Sequence, residues 1–274
     1  MMTKYRIFVL LIQALLCFPP LAQAGFDRVP QPVSVTGGGN VGTAIVDPEF
    51  LWINPASVAS AHSFSTILFY TPSLFGLPQL RNTGFVMSDD LYSTGTAIGV
   101  STFGFSLYRE TVATLAAADT VANSVVTGMG ININHLFIDS YGSTTVVSCD
   151  IGCIINIDSS LSLGSSITNV NRPSVGNNDN TIVQGMNIGV MYRFLPYASI
   201  AVDLHKNAEY PLAVHTGVEW MPHTNIRVRC GFIDQTKMLT AGLTVTVSFF
   251  DVEYAIIHHP DLGISQSIGI IFTP

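Results

Sequence analysis

The chain has 274 residues, a formal net charge of −7 and only 11% charged residues against 48% hydrophobic ones, with a mean hydropathy of +0.43. An ordinary soluble domain carries roughly 25% charged residues, so this chain has little with which to cover a solvated surface, and its acidity argues against nucleic acid as a partner. Past residue 24 no run approaches the roughly 18–20 uninterrupted apolar residues of a membrane helix, which leaves strands as the means of placing this hydropathy in a membrane.

Residues 1–24 read as a removable export signal. Lys4 and Arg6 precede an apolar core from Ile7 to Phe18, and Leu21-Ala22-Gln23-Ala24 offers a small-residue cleavage site before Gly25. Residues 25–61 then lack any period-2 pattern. Gly37, Gly38, Gly39 and Gly42 fall in a small-residue lead-in, and Asp47-Pro48 and Asn54-Pro55 each set a capping side chain before a proline, the entry to a short helix. Two short helices ahead of a barrel predict an N-terminal plug or hatch in the lumen, with Asp47, Trp52, Asn54 and Pro55 as its marked positions. A periplasmic cap or a loose arm is the alternative.

From 62 to 274 the chain alternates. Strands are predicted over 63–71, 82–88, 94–102, 125–137, 145–156, 161–167, 186–194 and 200–204, with five more between Leu212 and Phe272. Phe103 to Ala118 reads as one long strand or as a hairpin about Arg109-Glu110, which makes the count 14 or 15. Bacterial single-chain barrels have even counts, so 14 is expected. Successive strand residues face opposite sides. One side collects Val218, Trp220, Leu243, Ile268, Ile270 and Phe272, the other Gly217, Glu219, Thr244, Asp251 and Glu253. The fold class is therefore all-β: a transmembrane antiparallel barrel with a greasy face toward outer-membrane lipid and a polar lumen wide enough to admit a plug.

Within that frame, Glu219 and Arg227 flank a turn near Pro222-His223, and a symmetric hairpin sets them opposite each other on the inner face. Arg229, Asp251 and Glu253 extend a charged lumen wall, which either clamps the plug and guides a solute or simply satisfies its own charges. The apolar loop from Tyr70 to Pro78 places Tyr70, Leu74, Phe75 and Leu77 on a ligand path at the mouth, on the membrane surface, or against neighbouring loops. Asn171–Asn180 reads as a polar excursion into solvent.

The Gly-rich lead-in with Asp47 and LWINPASVA (51–59) resembles the N-terminal signature of FadL-like outer-membrane proteins, particularly the PorV/PorQ branch. Ile53 is an insertion and Ser57 stands where glycine is usual. YRE (108–110), NVNRPSVG (169–176), PLAVHTGVEW (211–220), RVRCGF (227–232), VEYAIIHHPDLG (252–263) and SIGIIF (267–272) follow in the same order as that branch's strands. The resemblance implies a barrel of roughly 14 strands with an N-terminal hatch. It also implies either passage of hydrophobic or amphipathic small molecules or, as in PorV-like proteins, service as a shuttle or scaffold that binds exported proteins. The last strand, Ile268 to Phe272, resembles the signal read by the barrel-assembly machinery.

Little points to an enzyme. Cys149 and Cys153 lie on one strand face roughly 13 Å apart at about 3.3 Å per residue, too far for a disulfide. With Cys230 they fall on the apolar series. His258-His259 point apart, and no nucleophile, base and orienting group stand together. No cofactor or metal is expected. A passive channel for hydrophobic compounds, a secretion scaffold and a soluble exported β-sandwich are the three readings the sequence supports, in that order.

Overall fold

The computed structural model describes residues 25–26, 29–61, 63–175, 181–208 and 210–274; the export signal lies outside them. Fourteen strands follow one another: β1 (Ser65–Thr71), β2 (Asn82–Leu91), β3 (Thr94–Gly104), β4 (Tyr108–Ala122), β5 (Val125–Ile138), β6 (Gly142–Asn156), β7 (Leu161–Thr168), β8 (Gly185–Leu195), β9 (Ala198–Asn207), β10 (Ala213–His223), β11 (Ile226–Ile233), β12 (Met238–Val247), β13 (Phe250–His259) and β14 (Gly263–Phe272). Each pairs antiparallel with its neighbours, and β14 pairs with β1, from Thr66 opposite Phe272 to Tyr70 opposite Ile268. Closure leaves no sheet edge. A soluble sandwich of two open sheets is thereby excluded.

The alternation decides which side is which. On β5, Ile131 and Ile133 are 45% and 50% exposed, whereas Asn132 and Asn134 beside them are 4% and 3% exposed. A soluble sheet protein would bury the isoleucines and wet the asparagines. Here the polarity is inverted, as hydrocarbon outside and a polar lumen require. Exposed aromatic residues gather toward the tight-turn end, with Tyr92, Tyr197, Trp220, Phe249 and Phe250 among them, and Tyr70, Tyr141 and Tyr210 stand at the other end. These are the two girdles in which amphipathic rings sit at the membrane–water boundary.

The connections are unequal. Odd-to-even turns include the excursions 72–81 and 169–184, while even-to-odd turns are as tight as 92–93 and 248–249. One expectation needs correction. Phe103–Ala118 is neither one strand nor a hairpin about Arg109-Glu110: Gly104 ends β3 at φ 106°, and the turn lies at 105–107, where the Phe105 N–H donates to Tyr108 O at 2.8 Å. Of the 171–180 loop expected in solvent, 176–180 lie outside the described residues and Asn171, Arg172 and Ser174 are exposed; Ser174 bridges Thr181, and Ile182 and Val183 beyond the loop are buried. Among the described residues no helix is long and apolar enough to cross a membrane.

Candidate functional site: the plugged lumen

Residues 29–61 lie inside the barrel. A single helical turn, α1 (Val33–Gly37), follows Pro32, and two 3-10 turns follow at Pro48–Phe50 and Pro55–Ser60. The capping chemistry is as the sequence predicts. Asp47 accepts from the Glu49 N–H at 3.0 Å and Asn54 from the Ala56 N–H at 3.0 Å, each ahead of a proline that lacks the donor such a position cannot use. α1 was not foreseen, since its sequence, Val-Ser-Val-Thr-Gly, has weak helix propensity. It forms because Val33 and Val35 bury completely against the wall and the 3-10 turns.

Asn54 joins plug to plug and plug to wall. Its Nδ2 donates to Thr43 O at 2.7 Å and reaches the strand carbonyls of Cys153 and Ser165 at 3.4 Å. Pro55 lies against β5, where its carbonyl and the Ala56 amide cover Gly128. Trp52 Nε1 donates to Thr114 Oγ1 at 2.9 Å, and its ring meets Phe69 edge-on at 5.9 Å.

The wall meets the plug with glycine. A Cβ on Gly128 would stand 2.5 Å from Ala56 N, and one on the plug's Gly37 would stand 2.8 Å from Gly242 Cα. Gly95, Gly152, Gly164, Gly217 and Gly231, on five other strands, would likewise collide with plug atoms. Backbone therefore touches backbone around the waist, an approach that a side chain forbids. Between the glycines, wall side chains satisfy the plug's main chain: Thr240 Oγ1 donates to Gly37 O at 2.9 Å, and Ser166 Oγ to Ile53 O at 2.6 Å. Asp203 Oδ2 accepts from Gly42 N, Thr43 N and Thr43 Oγ1 at 2.8, 2.9 and 2.8 Å. His205 Nε2 stands 3.6 Å from the same oxygen, and its ring stacks on His215 at 4.1 Å.

The charged wall is present, but its pairing differs from the expected one. The turn lies at Thr224-Asn225 and not near Pro222-His223, and β10 bulges by one residue between Trp220 and His223, so Arg229, not Arg227, lies opposite Glu219. Arg229 Nε donates to Glu219 Oε2 at 2.8 Å and Nη1 to Thr244 Oγ1 at 2.8 Å, while Nη1 stands 3.6 Å from Glu253 Oε1. Arg227 pairs with Asp251 at 3.2 Å instead. Asp47 and Glu49 of the plug border the same recess as Arg227 and Asp251, a polar volume of about 330 Å³ toward the tight-turn end. Burial pushes the Glu49 carboxyl well above the usual carboxylate range; the nearby charges of Glu253 and Asp47 raise it further, and Arg229 and Arg227 oppose them. Ser34 donates to Glu49.

The long-loop end is different. Phe26, Val112, Leu136 and Ile182 form a buried apolar cluster, packed by Val29, Tyr108, Ile138, Val146 and Val175. Wall, N-terminal segment and the 169–184 excursion all contribute. Of the loop positions marked in the sequence, Tyr70 lies on the outer face of β1, 41% exposed, and lines no path through the lumen. Leu77 is 51% exposed. Leu74 bridges Leu77 in a tight turn, and the Phe75 N–H donates to Ser265 Oγ at 2.7 Å while its ring meets His259 edge-on at 5.4 Å. This loop rests on the barrel rim. Sequence reasoning missed Asp203, Thr114 and the seating glycines as plug contacts, although their inward direction was readable, and missed Phe26 entirely.

No protein-family model and no curated protein sequence matches the chain. Solved structures do. The toluene transporter TbuX of Ralstonia pickettii superposes with a TM-score of 0.68 at 10% identity, over 91% of this chain and 98% of that one. The monoaromatic hydrocarbon channel CymD gives 0.68 at 12% identity, over 91% and 99%. A FadL homologue of Pseudomonas aeruginosa gives 0.57 at 10% identity, over 91% and 98%. At such identities the likeness speaks for architecture, and the architecture of this chain is a FadL-like plugged barrel.

Proposed function

We propose that this protein is a passive channel of the bacterial outer membrane for hydrophobic or amphipathic small molecules, oriented with the 72–81 and 169–184 excursions outward, as barrels of this kind place their longer loops. The observation that carries this reading is the apolar cluster around Phe26, Leu136 and Ile182 at the long-loop end, separate from the apolar contacts that pack the plug on the wall. A water-filled pore for sugars or ions has no use for such a site. A greasy solute leaving water gains roughly 25 cal/mol for each Å² of apolar surface it buries there. Two of the elements around it, the N-terminal segment and the long excursion, are not barrel strands and can yield without opening the sheet. The structural neighbours described as toluene transporters and hydrocarbon channels support the same substrate class. Below the cluster the seated plug closes the waist, so passage requires the plug to shift. Export by a signal cleaved before Gly25 and insertion by the barrel-assembly machinery belong to this proposal. The secretion-scaffold reading gains nothing from the excursion 169–184, which turns Ile182 and Val183 inward instead of presenting them.

Uptake into liposomes containing the purified barrel tests the proposal. Toluene-like aromatics or medium-chain fatty acids should enter faster than into protein-free liposomes, and sugars and salts should not. Equal entry of sugars, or no gain for apolar solutes, would sink it.

A further inference from the structure

The outer surface of β1 to β6 changes character along one line of register. Tyr70, Thr83, Thr102, Thr111, His135 and Thr145 stand opposite one another on successive strands, a polar row six strands wide. The next outward row toward the tight-turn end, from Leu68 to Val147, is wholly apolar. Thr102 and Thr111 are hydroxyl partners at 3.3 Å, and His135 Nδ1 meets Thr145 Oγ1 at 2.8 Å. On β12 to β14 the outward row nearest the long connections is Leu239, His258 and Ile264, of which Leu239 and Ile264 are apolar and more than half exposed. The unbroken polar row of β1 to β6 is therefore not continued across β12 to β14.

Two arginines crown it. Arg81 and Arg109 line a recess of about 330 Å³ together with Tyr70, Thr83, Thr102 and Gly104. Arg81 Nε donates to Gly104 O at 3.2 Å, and the Arg109 guanidinium lies 5.7 Å from the centre of the Phe137 ring. Among the described residues neither forms an ion pair with a carboxylate, in contrast to Arg227 and Arg229 inside the barrel. Two permanent, uncompensated cations thus share one recess on the lipid side of a chain whose net charge is −7. An unpaired guanidinium in that setting is stable only at the membrane boundary, where an anion can reach it. Two guanidinium forks with hydroxyls between them match the oxygens of a phosphate group.

We infer that this recess binds the phosphate of a phosphorylated lipid in the outer leaflet, with the acyl chains lying over the apolar rows and the headgroup hydroxyls along the threonine row. The test is native mass spectrometry of the full barrel in detergent, titrated with a phosphorylated acyl-glucosamine disaccharide, with the same lipid stripped of phosphate, and with inorganic phosphate. The phosphorylated lipid should be retained about tenfold more tightly than the stripped one, the effect of charge-assisted hydrogen bonds to one group. Arg81→Gln and Arg109→Gln should each lose about that factor, and Thr102→Val should lose less. Arg193→Gln, an exposed arginine near the opposite end of the barrel, should lose nothing. Heat-modifiable gel mobility reports folding of each variant. Equal retention of the stripped lipid, or equal loss in Arg193→Gln, would overturn the inference. Inorganic phosphate displacing the lipid at equal concentration would instead mark a free-anion site and overturn the lipid assignment.

Discussion

The waist of the barrel and its long-loop end are closed by different means: where the plug sits, apolar packing such as Leu51 and Trp52 on Ile67 and Phe69 is joined by directional contacts that the apolar side chains of the long-loop cluster cannot make. At the waist, plug and wall meet backbone to backbone across glycines, and buried side chains such as Asp203, Thr240 and Ser166 answer the plug's main-chain groups one by one. At the long-loop end, closure is apolar contact around Phe26, Val112, Leu136 and Ile182. Directional contacts hold one arrangement and lose much when it shifts, whereas apolar contacts are indifferent to which greasy group fills the space. In the proposed channel the waist is therefore the seat, and the upper cluster the place where a solute would exchange with the protein's own apolar groups.

The largest expected effect lies in the seat. Arg229→Ala removes the arginine beside the buried Glu253 and the partner of the partly exposed Glu219 and should cost about 3–5 kcal/mol of unfolding free energy, measured by denaturant titration in detergent. Arg227→Ala, whose partner Asp251 borders the polar recess, should cost clearly less. Equal costs would break the ranking of the two pairs. Gly231→Val comes next. Its side chain would enter the backbone of Gly39, so the plug must withdraw or the wall bend, at about 1–3 kcal/mol. Single-channel conductance should rise in this variant; an unchanged closed barrel would mean that the waist is not a steric seal.

Asp203→Ala removes one oxygen that accepts three donors from Gly42 and Thr43 and should cost about 2 kcal/mol. Phe26→Ala sharpens the comparison from the other side. With the signal cleaved before Gly25 as proposed, Phe26 is the second residue of the mature chain, where the backbone can relax, so its cost should be about 1 kcal/mol, yet uptake of apolar solutes should rise severalfold. A stability loss as large as that of Arg229→Ala, with uptake unchanged, would make the upper cluster a seat as well.

Much of this barrel was legible because period-2 alternation is a direct projection of strand geometry. It marked fourteen or fifteen strands, of which the even count of such barrels selected fourteen, the lipid side from Met129, Ile131 and Ile133, and the lumen side from Asn132 and Asn134. Asp47 and Asn54 were legible for a local reason: a cap and its proline lie within three residues. What alternation cannot say is what stands opposite an inward residue. Gly128, Gly152, Gly217 and Gly231 were visible as small inward positions, but only the folded plug shows that backbone fills the space above them. The Glu219 partner was misassigned for a similar reason. The turn lies at Thr224-Asn225 and the bulge absorbs residues beside Pro222, which moves the pairing from Arg227 to Arg229. Tyr70 was placed on the ligand path because its loop is apolar, although its own strand parity points it outward.

Glu49 offers the finest test of how the seat is held. It is 5% exposed, accepts from Ser34, and lies in the field of Glu253 and Asp47 as well as that of Arg229 and Arg227. Burial and the two carboxylates outweigh the arginines, so the folded carboxyl keeps its proton to a higher pH than in the unfolded chain. A carboxyl with a raised folded value contributes stability that is fully present in acid and is lost as the pH rises through that value. Burial raises the Asp47 carboxyl too, which adds to the same trend. The seated plug should accordingly loosen toward alkaline pH. Glu49→Gln, which keeps the shape without the ionisation, should raise the unfolding temperature at pH 8, leave it unchanged at pH 4, and flatten the profile between them. A Gln variant whose profile still falls in parallel with the wild type would place the pH sensitivity elsewhere, with the Asp203–His205–His215 group at the waist as the next set of titratable side chains to vary.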